Sequence, residues 1–128
     1  SDPSVIDIEV TDETFVDWSE EIFHSYVSHG DEHEVEEGCF EGNTIHMQGV
    51  FEIVPFGNTE QYLIYRKYID VEGDENKVST EIIFEGEVPE NGAWIDVVGI
   101  VSSNHGLSCI KDAKVTVLDS KDKREFVQ

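Results

Sequence analysis

Basic residues are scarce in this chain, and none precedes Arg66. The 128 residues include eight Lys and Arg against 29 Asp and Glu, which gives a formal net charge of −21 at pH 7. Such a surface repels the phosphate backbone of a nucleic acid and an anionic membrane. We therefore expect neither a nucleic-acid partner nor direct binding to anionic lipid. The acidic N-terminal half fits a solvated surface, adaptation to high salt, or attraction of cations and basic partners.

Long apolar runs and targeting signals are also lacking. No stretch approaches the roughly 18 apolar residues that a membrane helix needs. Residues 1–4 are polar, so the chain does not open with a secretory signal. A start of this kind resembles a cut within a longer precursor. We therefore expect an extracellular or cell-envelope protein that derives from a leader-anchored or membrane-anchored precursor.

The sequence contains no recognisable catalytic signature. A nucleophile elbow and a Gly-rich phosphate loop are both absent. Adjacent carboxylates carry no information about glycoside hydrolysis, because 29 acidic residues produce such pairs in any case. We therefore expect a protein that is not an enzyme and that needs no cofactor, with zinc as the one alternative considered below.

Only two cysteines are present, Cys39 and Cys109, and neither belongs to a CxxC pair. A zinc knuckle and a thioredoxin-type redox site are therefore unsupported. The pair fits either one disulfide in an exported protein or two buried thiols. The sequence leaves both alternatives open.

The apolar residues that are present predict one folded domain over residues 1–128. Hydrophobic residues make up 38% and aromatic residues 10% of the chain, more than a disordered acidic tail would have. Residues 5–10 alternate apolar and acidic, which favours a short strand or an extended lead-in. A helix is predicted over residues 12–28, with an apolar stripe typical of core packing formed by Phe15, Trp18, Ile22 and Tyr26.

From Thr44 onward the hydrophobic period changes to two, which predicts strands. Glycines inside the first and fourth strands, Gly49 and Gly99, are typical of the bends in a small barrel. We therefore predict a mainly β protein, an OB-like five-stranded Greek-key barrel with an N-terminal amphipathic helix that closes its open end. A plain meander and an Ig-like sandwich are the alternatives. The predicted strands cover residues 44–54, 62–71, 79–88, 94–103 and 107–118.

The predicted domain has a lead-in, a barrel and a tail. Residues 1–43 are the lead-in, which ends in an acidic loop, and residues 44–118 are the barrel. Residues 119–128 form a tail that is expected to fray, although Phe126 and Val127 are apolar enough to dock.

A series of short motifs resembles a known family. The series consists of DETF at 12–15, GNTIHMQGVF at 42–51, YLIYR at 62–66, WIDVVGI at 94–100 and IKDAKV at 110–115. The order is similar to the soluble C-terminal domain of the bacterial permease-partner family of uncharacterised membrane proteins, and more loosely to small OB domains of bacterial lipoproteins. The resemblance implies an OB-like fold at the cell envelope and no established reaction. This chain departs from the family pattern at Val71 and Glu72, where the family has a pair of cysteines.

Three of the five histidines, His24, His29 and His33, lie close together among carboxylates. Imidazole and carboxylate groups are ligands of zinc, nickel and copper, so this segment suggests a metal-binding or metal-delivery domain. The spacing is not that of a helical ligand pair, because such ligands stand four residues apart. The alternative is a set of solvated side chains at a helix end. His46 and His105 are expected to be ordinary surface residues.

The second predicted strand carries the best candidate surface for an extended ligand. OB folds bind ligands on the face of their second and third strands, where aromatic side chains stand beside cations. The alternative is that these tyrosines cover the edge of the barrel while the cations pair with local acids. We therefore predict a non-enzymatic binding or accessory module of the cell envelope with a membrane or envelope protein as partner. The predicted ligand-binding residues are Tyr62, Tyr65, Arg66, Lys67 and Tyr68.

Overall fold

The computed structural model describes residues 5–19, 40–104 and 107–127, and the strands in them make the protein mainly β, as predicted. Residues 15–19 are helical and Ser120–Asp122 is a 3₁₀ helix. No helix among the described residues is long and apolar enough to cross a membrane. The strands are β1 (Ile8–Glu9), β2 (Thr44–Phe56), β3 (Thr59–Ile69), β4 (Glu75–Ile82), β5 (Trp94–Asn104), β6 (Leu107–Val117) and β7 (Phe126–Val127).

Within the described residues the sheet has seven strands in the order β1-β2-β5-β6-β4-β3-β7, whereas five strands were predicted. The five long strands form a closed circuit, because β2 also pairs with β3. The pairings in this circuit are antiparallel except for β4 with β6, which run parallel. The two additional strands are short and parallel to their neighbours, β1 on β2 and β7 on β3.

The third predicted strand, residues 79–88, is displaced toward the N-terminus and ends earlier than expected. The chain leaves β4 after Ile82, because the backbone of Ile83 turns to β6 instead of continuing along β3. The N–H of Ile83 donates to the carbonyl of Ile110 at 2.8 Å, and its carbonyl accepts from Ala113 at 3.1 Å. The following residues up to Trp94 form an irregular connection to β5.

The hairpin between β2 and β3 is tighter than expected. The turn consists of two residues and begins at Gly57, whose φ of +62° favours glycine. Phe56 and Thr59 therefore pair directly, and Pro55 belongs to a strand instead of ending one. The sheet gains a hairpin that extends well past the end of β4.

The first long strand follows the predicted period of two on one face, where Ile45, Met47 and Phe51 are all 0% exposed. The glycine on that face permits close approach of β3, since a Cβ on Gly49 would lie 2.9 Å from the carbonyl oxygen of Tyr65. A Cβ on Gly99 would lie 2.9 Å from the carbonyl oxygen of Lys111. The rest of the core comes from β1, the helical residues and the other long strands, and includes Ile8, Phe15, Ile64, Ile95, Val97 and Ile110.

Both ends of the described chain are attached to the sheet. Phe15 is buried in the core and Trp18 packs against it, as the predicted stripe requires. The remainder of the predicted helix, residues 20–28, lies outside the described residues. The tail docks at Phe126 and Val127, as the sequence allowed, because β7 pairs with β3 and the N–H of Lys67 donates to the carbonyl of Glu125 at 2.7 Å. The expectation that the tail frays is therefore wrong.

Candidate functional site

An open groove lies where the β2–β3 hairpin extends beyond β4. The ladder between β3 and β4 ends at Leu63 and Glu81, while β3 continues with β2 down to Thr59. The groove between this part of β3 and the departing chain has a volume of about 420 Å³. We call it the aromatic groove, and its lining residues are Phe56, Thr59, Glu60, Gln61, Tyr62, Glu81, Ile82, Ile83 and Phe84.

Aromatic rings form the floor of the aromatic groove. The ring of Tyr62 stacks on that of buried Phe51 at a centroid distance of 5.6 Å and lies 5.3 Å from the ring of Phe84. Two large apolar side chains at the groove remain accessible, Phe56 at 49% and Ile83 at 39% exposure. Accessible apolar side chains around a fixed aromatic floor are typical of a surface that binds a partner.

The charged residues that line the aromatic groove are acidic. Glu60 and Glu81 line the groove itself. Ile83 and Phe84 also line a neighbouring cleft, where Glu85 and Asp112 contribute the carboxylates. The lining residues of these two clefts, all within the described chain, include no Lys, Arg or His.

Arg66 is buried within the protein and is not displayed on the surface of β3. Its side chain is 1% exposed. The guanidinium donates from Nη1 to the carbonyl of Gln48 at 3.1 Å and from Nη2 to Oδ1 of Asp12 at 3.0 Å. It also lies 5.5 Å from the ring centroid of Phe15 and 5.0 Å from that of Trp94. These contacts are those of a structural cation that joins the N-terminal segment to the sheet.

The other predicted ligand residues are divided between the two faces of β3. Tyr62 lies on the inner face and is the one member of the predicted set that lines the aromatic groove. Lys67 pairs with Glu75 at 3.0 Å and with Glu125 at 3.5 Å. Tyr68 is half-buried opposite Asn76.

Tyr65 lies on the outer face and is also engaged within the protein. Its hydroxyl donates to Oε2 of Glu125 at 2.6 Å, and Nζ of Lys77 lies 4.6 Å from its ring centroid. Burial, together with that hydrogen bond, raises the pKa of Tyr65 well above its ordinary value. These contacts agree with the alternative considered from the sequence, in which the tyrosines cover the edge of the barrel and the cations pair with nearby acids.

A second, polar cleft of about 330 Å³ lies between the two ends of the chain. His46, expected to be an ordinary surface residue, is held there at both ring nitrogens. Nδ1 lies 2.6 Å from Oε2 of Glu9 and Nε2 lies 2.7 Å from Oδ1 of Asp96. Burial lowers the pKa of His46, but the hydrogen bonds and charges of Asp96 and Glu9 outweigh it, so the pKa is raised.

At the other side of the polar cleft, the carboxylate of Asp12 is hydrogen-bonded to two arginines. Its carboxylate accepts from Arg66 and, through Oδ2, from Nε of Arg124 at 2.8 Å. The hydrogen bond from Arg124 is the largest cause that lowers the pKa of Asp12, against the opposing effect of burial. The alternation of apolar and polar residues does not predict the contacts of His46 or those of Asp12. Both sets of contacts depend on where β1 and the C-terminal tail pair with the rest of the sheet.

The histidines proposed as metal ligands, His24, His29 and His33, lie outside the described residues, as do His105 and Cys39. Among the described residues no three His, Cys, Asp or Glu side chains form a group suited to a metal ion. Cys109 is a buried, free cysteine, and burial raises its pKa to about 11. Such a thiol is unreactive at neutral pH.

Comparison with solved structures finds similarity to an OB domain, at low sequence identity. The chain is similar to the solution NMR structure of the OB domain of Ta0387 from Thermoplasma acidophilum, with 8% sequence identity and a TM-score of 0.37. The match covers 69% of this chain and 84% of that one. No protein-family model and no curated protein matches the sequence.

Proposed function

We propose that this protein is a non-enzymatic binding module with an OB-like barrel, and that it binds an extended segment of a partner protein in the aromatic groove. The circuit of five long strands supports the fold, since an OB fold is a five-stranded barrel with mostly antiparallel Greek-key pairing. β1 and β7 are then additions to that barrel at its outer edges. Membership of the permease-partner family remains a prediction from the sequence resemblance.

The observation that carries the functional proposal is the position of the aromatic groove. It lies against β3 and the end of β4, which are the second and third strands of the circuit, and this is the side on which OB folds bind ligands. Its lining combines a fixed aromatic floor with the accessible side chains of Phe56 and Ile83. The predicted strand surface is therefore retained in location, but its ligand residues are revised to those of the groove.

The partner is proposed to be a protein rather than a nucleic acid or an anionic membrane, because the formal charge of −21 opposes both of the latter. A cell-envelope location and a membrane-associated partner follow from the sequence resemblance and belong to the same proposal. Zinc binding by His24, His29 and His33 is the alternative function, and a zinc titration monitored by native mass spectrometry tests it separately.

Selection of peptides on the purified protein tests the proposed function. A library of twelve-residue peptides is selected on the natural protein, and the binders are measured on a Phe56→Ser/Ile83→Ser variant. The matched control is Ile69→Ser/Val71→Ser, which removes two apolar side chains that are 53% and 102% exposed at the far end of β3. We expect binding to weaken at least tenfold in the groove variant and to persist in the control. Failure to select any binder, or equal binding to both variants, contradicts the proposal.

A further inference from the structure

The last part of β6 has a neighbouring strand on one side only. Its ladder with β5 continues to Val117, whereas its ladder with β4 ends at Ile110. The N–H of Ala113 then donates to the carbonyl of Ile83 at 3.1 Å, and no strand follows on that side among the described residues. From residue 114 to its end, β6 is therefore an edge of the sheet.

The alternation of the backbone shows which groups of β6 face this open side. In an antiparallel ladder, residues whose backbone groups face the partner strand alternate with residues whose groups face away. The N–H of Leu118 donates to the carbonyl of Trp94 at 2.8 Å, so the backbone of Thr116 also faces β5. The bond between β6 and the departing chain fits the same alternation. The N–H and carbonyl groups of Val115 and Val117 therefore point away from β5.

These outward groups have no backbone partner within the described chain. The ladder with β4 stops before them, so any bond to them would join a strand to a loop. The bonds of that kind among the described residues include those of Ile83 but none to Val115 or Val117. Two donors and two acceptors along one edge are what an added strand needs.

An open groove of about 600 Å³ follows this edge. Three consecutive residues of β6, 115–117, line one side of it, and residues 87–90 and Ala93 of the connection to β5 line the other. We call it the connection groove. Val88 and Val117 offer it apolar surface, since they are 43% and 57% exposed. The connection groove shares no lining residue with the aromatic groove.

We propose that β6 accepts an extended, basic segment of a partner protein in the connection groove, as an additional strand of the sheet. The inference goes beyond the proposed function, because it adds a second binding site. The added strand hydrogen-bonds to the outward groups of Val115 and Val117, as in β-augmentation. Its apolar side chains contact Val88 and Val117.

The charge of the partner follows from Glu87 and Glu90, which line the connection groove together with no Lys, Arg or His. Neither carboxylate forms an ion pair with a described residue. Lys123 reaches the end of the connection, but its Nζ donates to the carbonyl of Gly92 at 2.8 Å. A basic segment therefore complements the groove. A second copy of this chain, with the same glutamates and a formal charge of −21, is repelled.

The test uses an eight-residue peptide in which valine alternates with lysine, and matched peptides with glutamate or serine in place of lysine. Each is titrated into the isotopically labelled chain while amide shifts and amide hydrogen exchange are followed by NMR. We expect the lysine peptide to slow exchange of the Val115 and Val117 amides at least tenfold at saturation. The Thr116 amide is the internal control, because it faces β5 and should change little. We expect the lysine peptide to bind at least tenfold more tightly than the glutamate peptide, with the difference reduced at high salt.

Methylation of the peptide nitrogens tests whether the peptide adds as a strand. One version of the lysine peptide is methylated at every valine nitrogen and the other at every lysine nitrogen. Since successive backbone groups of a strand face opposite edges, only one of the two sets faces β6. We expect one version to bind at least tenfold more weakly and the other to bind nearly as before. An equal effect of the two methylations contradicts strand addition.

A pair of protein variants tests the role of the groove carboxylates. We expect Glu87→Gln/Glu90→Gln to weaken binding of the lysine peptide about threefold. The matched control is Glu72→Gln/Asp74→Asn, which removes two exposed carboxylates between β3 and β4 and leaves the groove unchanged. Equal weakening in the two variants would mean that the overall charge attracts the peptide, and would overturn the role of Glu87 and Glu90.

The remaining outcomes separate this site from its alternatives and from the proposed function. Shifts at Val115 and Val117 that depend on protein concentration without peptide would identify a second copy as the occupant. Shifts confined to Phe56 and Ile83 would place the peptide in the aromatic groove and overturn this site alone. Protection of Val115 and Val117, together with a failed peptide selection on the aromatic groove, would support this site and contradict the proposed function. Absence of any shift at Val115 and Val117 overturns the inference.

Discussion

Nε of Arg124 donates to Oδ2 of Asp12 at 2.8 Å, which joins two residues from opposite ends of the described chain. Asp12 at the same time accepts from buried Arg66, so its carboxylate connects the C-terminal segment to the interior of the sheet. The last residues are therefore part of the fold.

Removal of the tail tests this connection. Truncation after Leu118 deletes β7, Arg124 and the hydrogen bond from Tyr65 to Glu125. We expect the free energy of unfolding to fall by about 1–3 kcal/mol, because several partly buried hydrogen bonds are lost together. Thermal unfolding should then occur roughly 3–10 °C lower. Truncation after Glu125 is the control that retains Arg124, and an unchanged melting temperature in both proteins would show that the tail contributes nothing.

Substitution of Arg66 tests its structural role. Arg66→Lys keeps the charge but cannot reproduce the forked donation to Gln48 and Asp12 or the stacking on Trp94. We expect a loss of about 1.5–3 kcal/mol in urea unfolding. Arg124→Lys is the matched control, since Arg124 is 48% exposed and its ion pair contributes less than about 1 kcal/mol. Equal losses in the two variants would contradict the assignment of Arg66 as a buried anchor.

His46 makes stability depend on pH in a defined direction. Its pKa is raised above the ordinary 6.5 by Asp96 of β5 and Glu9 of β1, despite the opposing effect of burial. A raised pKa in the folded state means that the stabilisation is complete below pH 6.5 and disappears as the pH rises through the folded-state pKa. The difference in unfolding free energy between the natural protein and His46→Gln should therefore decrease as the pH is raised from 6.5 through the folded-state pKa of His46.

Urea unfolding of both proteins at matched pH measures this difference and cancels the titration of groups that are common to them. Glu9→Gln should reduce the pH dependence while leaving the contact between His46 and Asp96 in place. A constant or increasing difference over that range would rule out the predicted sign.

The two strand glycines should tolerate no side chain. A Cβ on Gly49 would lie 2.7 Å from Cγ1 of Ile64 and 2.9 Å from the carbonyl oxygen of Tyr65, and the latter belongs to the backbone and cannot move aside. We expect Gly49→Ala and Gly99→Ala each to destabilise the protein by about 1–3 kcal/mol. Ser79→Ala at an exposed position of β4 is the control and should remain within about 0.5 kcal/mol. Unchanged urea midpoints in the glycine variants would mean that the strands are less closely apposed than the structure shows.

The pattern of apolar residues was sufficient to predict that long strands are present, because burial of one face of a strand imposes a period of two. Ile45, Met47 and Phe51 illustrate this, and the starts of the strands at Thr44, Trp94 and Leu107 were also correct. The end of β4 was not predictable, because Ile83 leaves β3 to pair with residues distant in the sequence. Local pattern contains no information about such a change of partner.

The aromatic groove was missed for the same reason, since it exists only where β3 extends beyond β4. Arg66 was predicted to bind a ligand because a cation close to tyrosines in the sequence is typical of a ligand-binding strand. Its burial depends on Phe15, Trp94 and Asp12, which come from three separate segments. Tyr62 lines the aromatic groove, and its place on the inner face follows from the alternation along the strand.

The β2 side of the β2–β3 hairpin bears on self-association. Growth of a fibre through strand pairing needs two competent edges on every molecule, one to receive and one to offer. The backbone groups of Ile53 and Pro55 face away from β3. Pro55 has no N–H, and the N–H of Ile53 donates to Oδ1 of Asn91 at 2.7 Å, so this stretch of β2 has no backbone donor left for another chain. A second copy therefore cannot extend the sheet through this stretch, and a row of copies cannot grow across the hairpin.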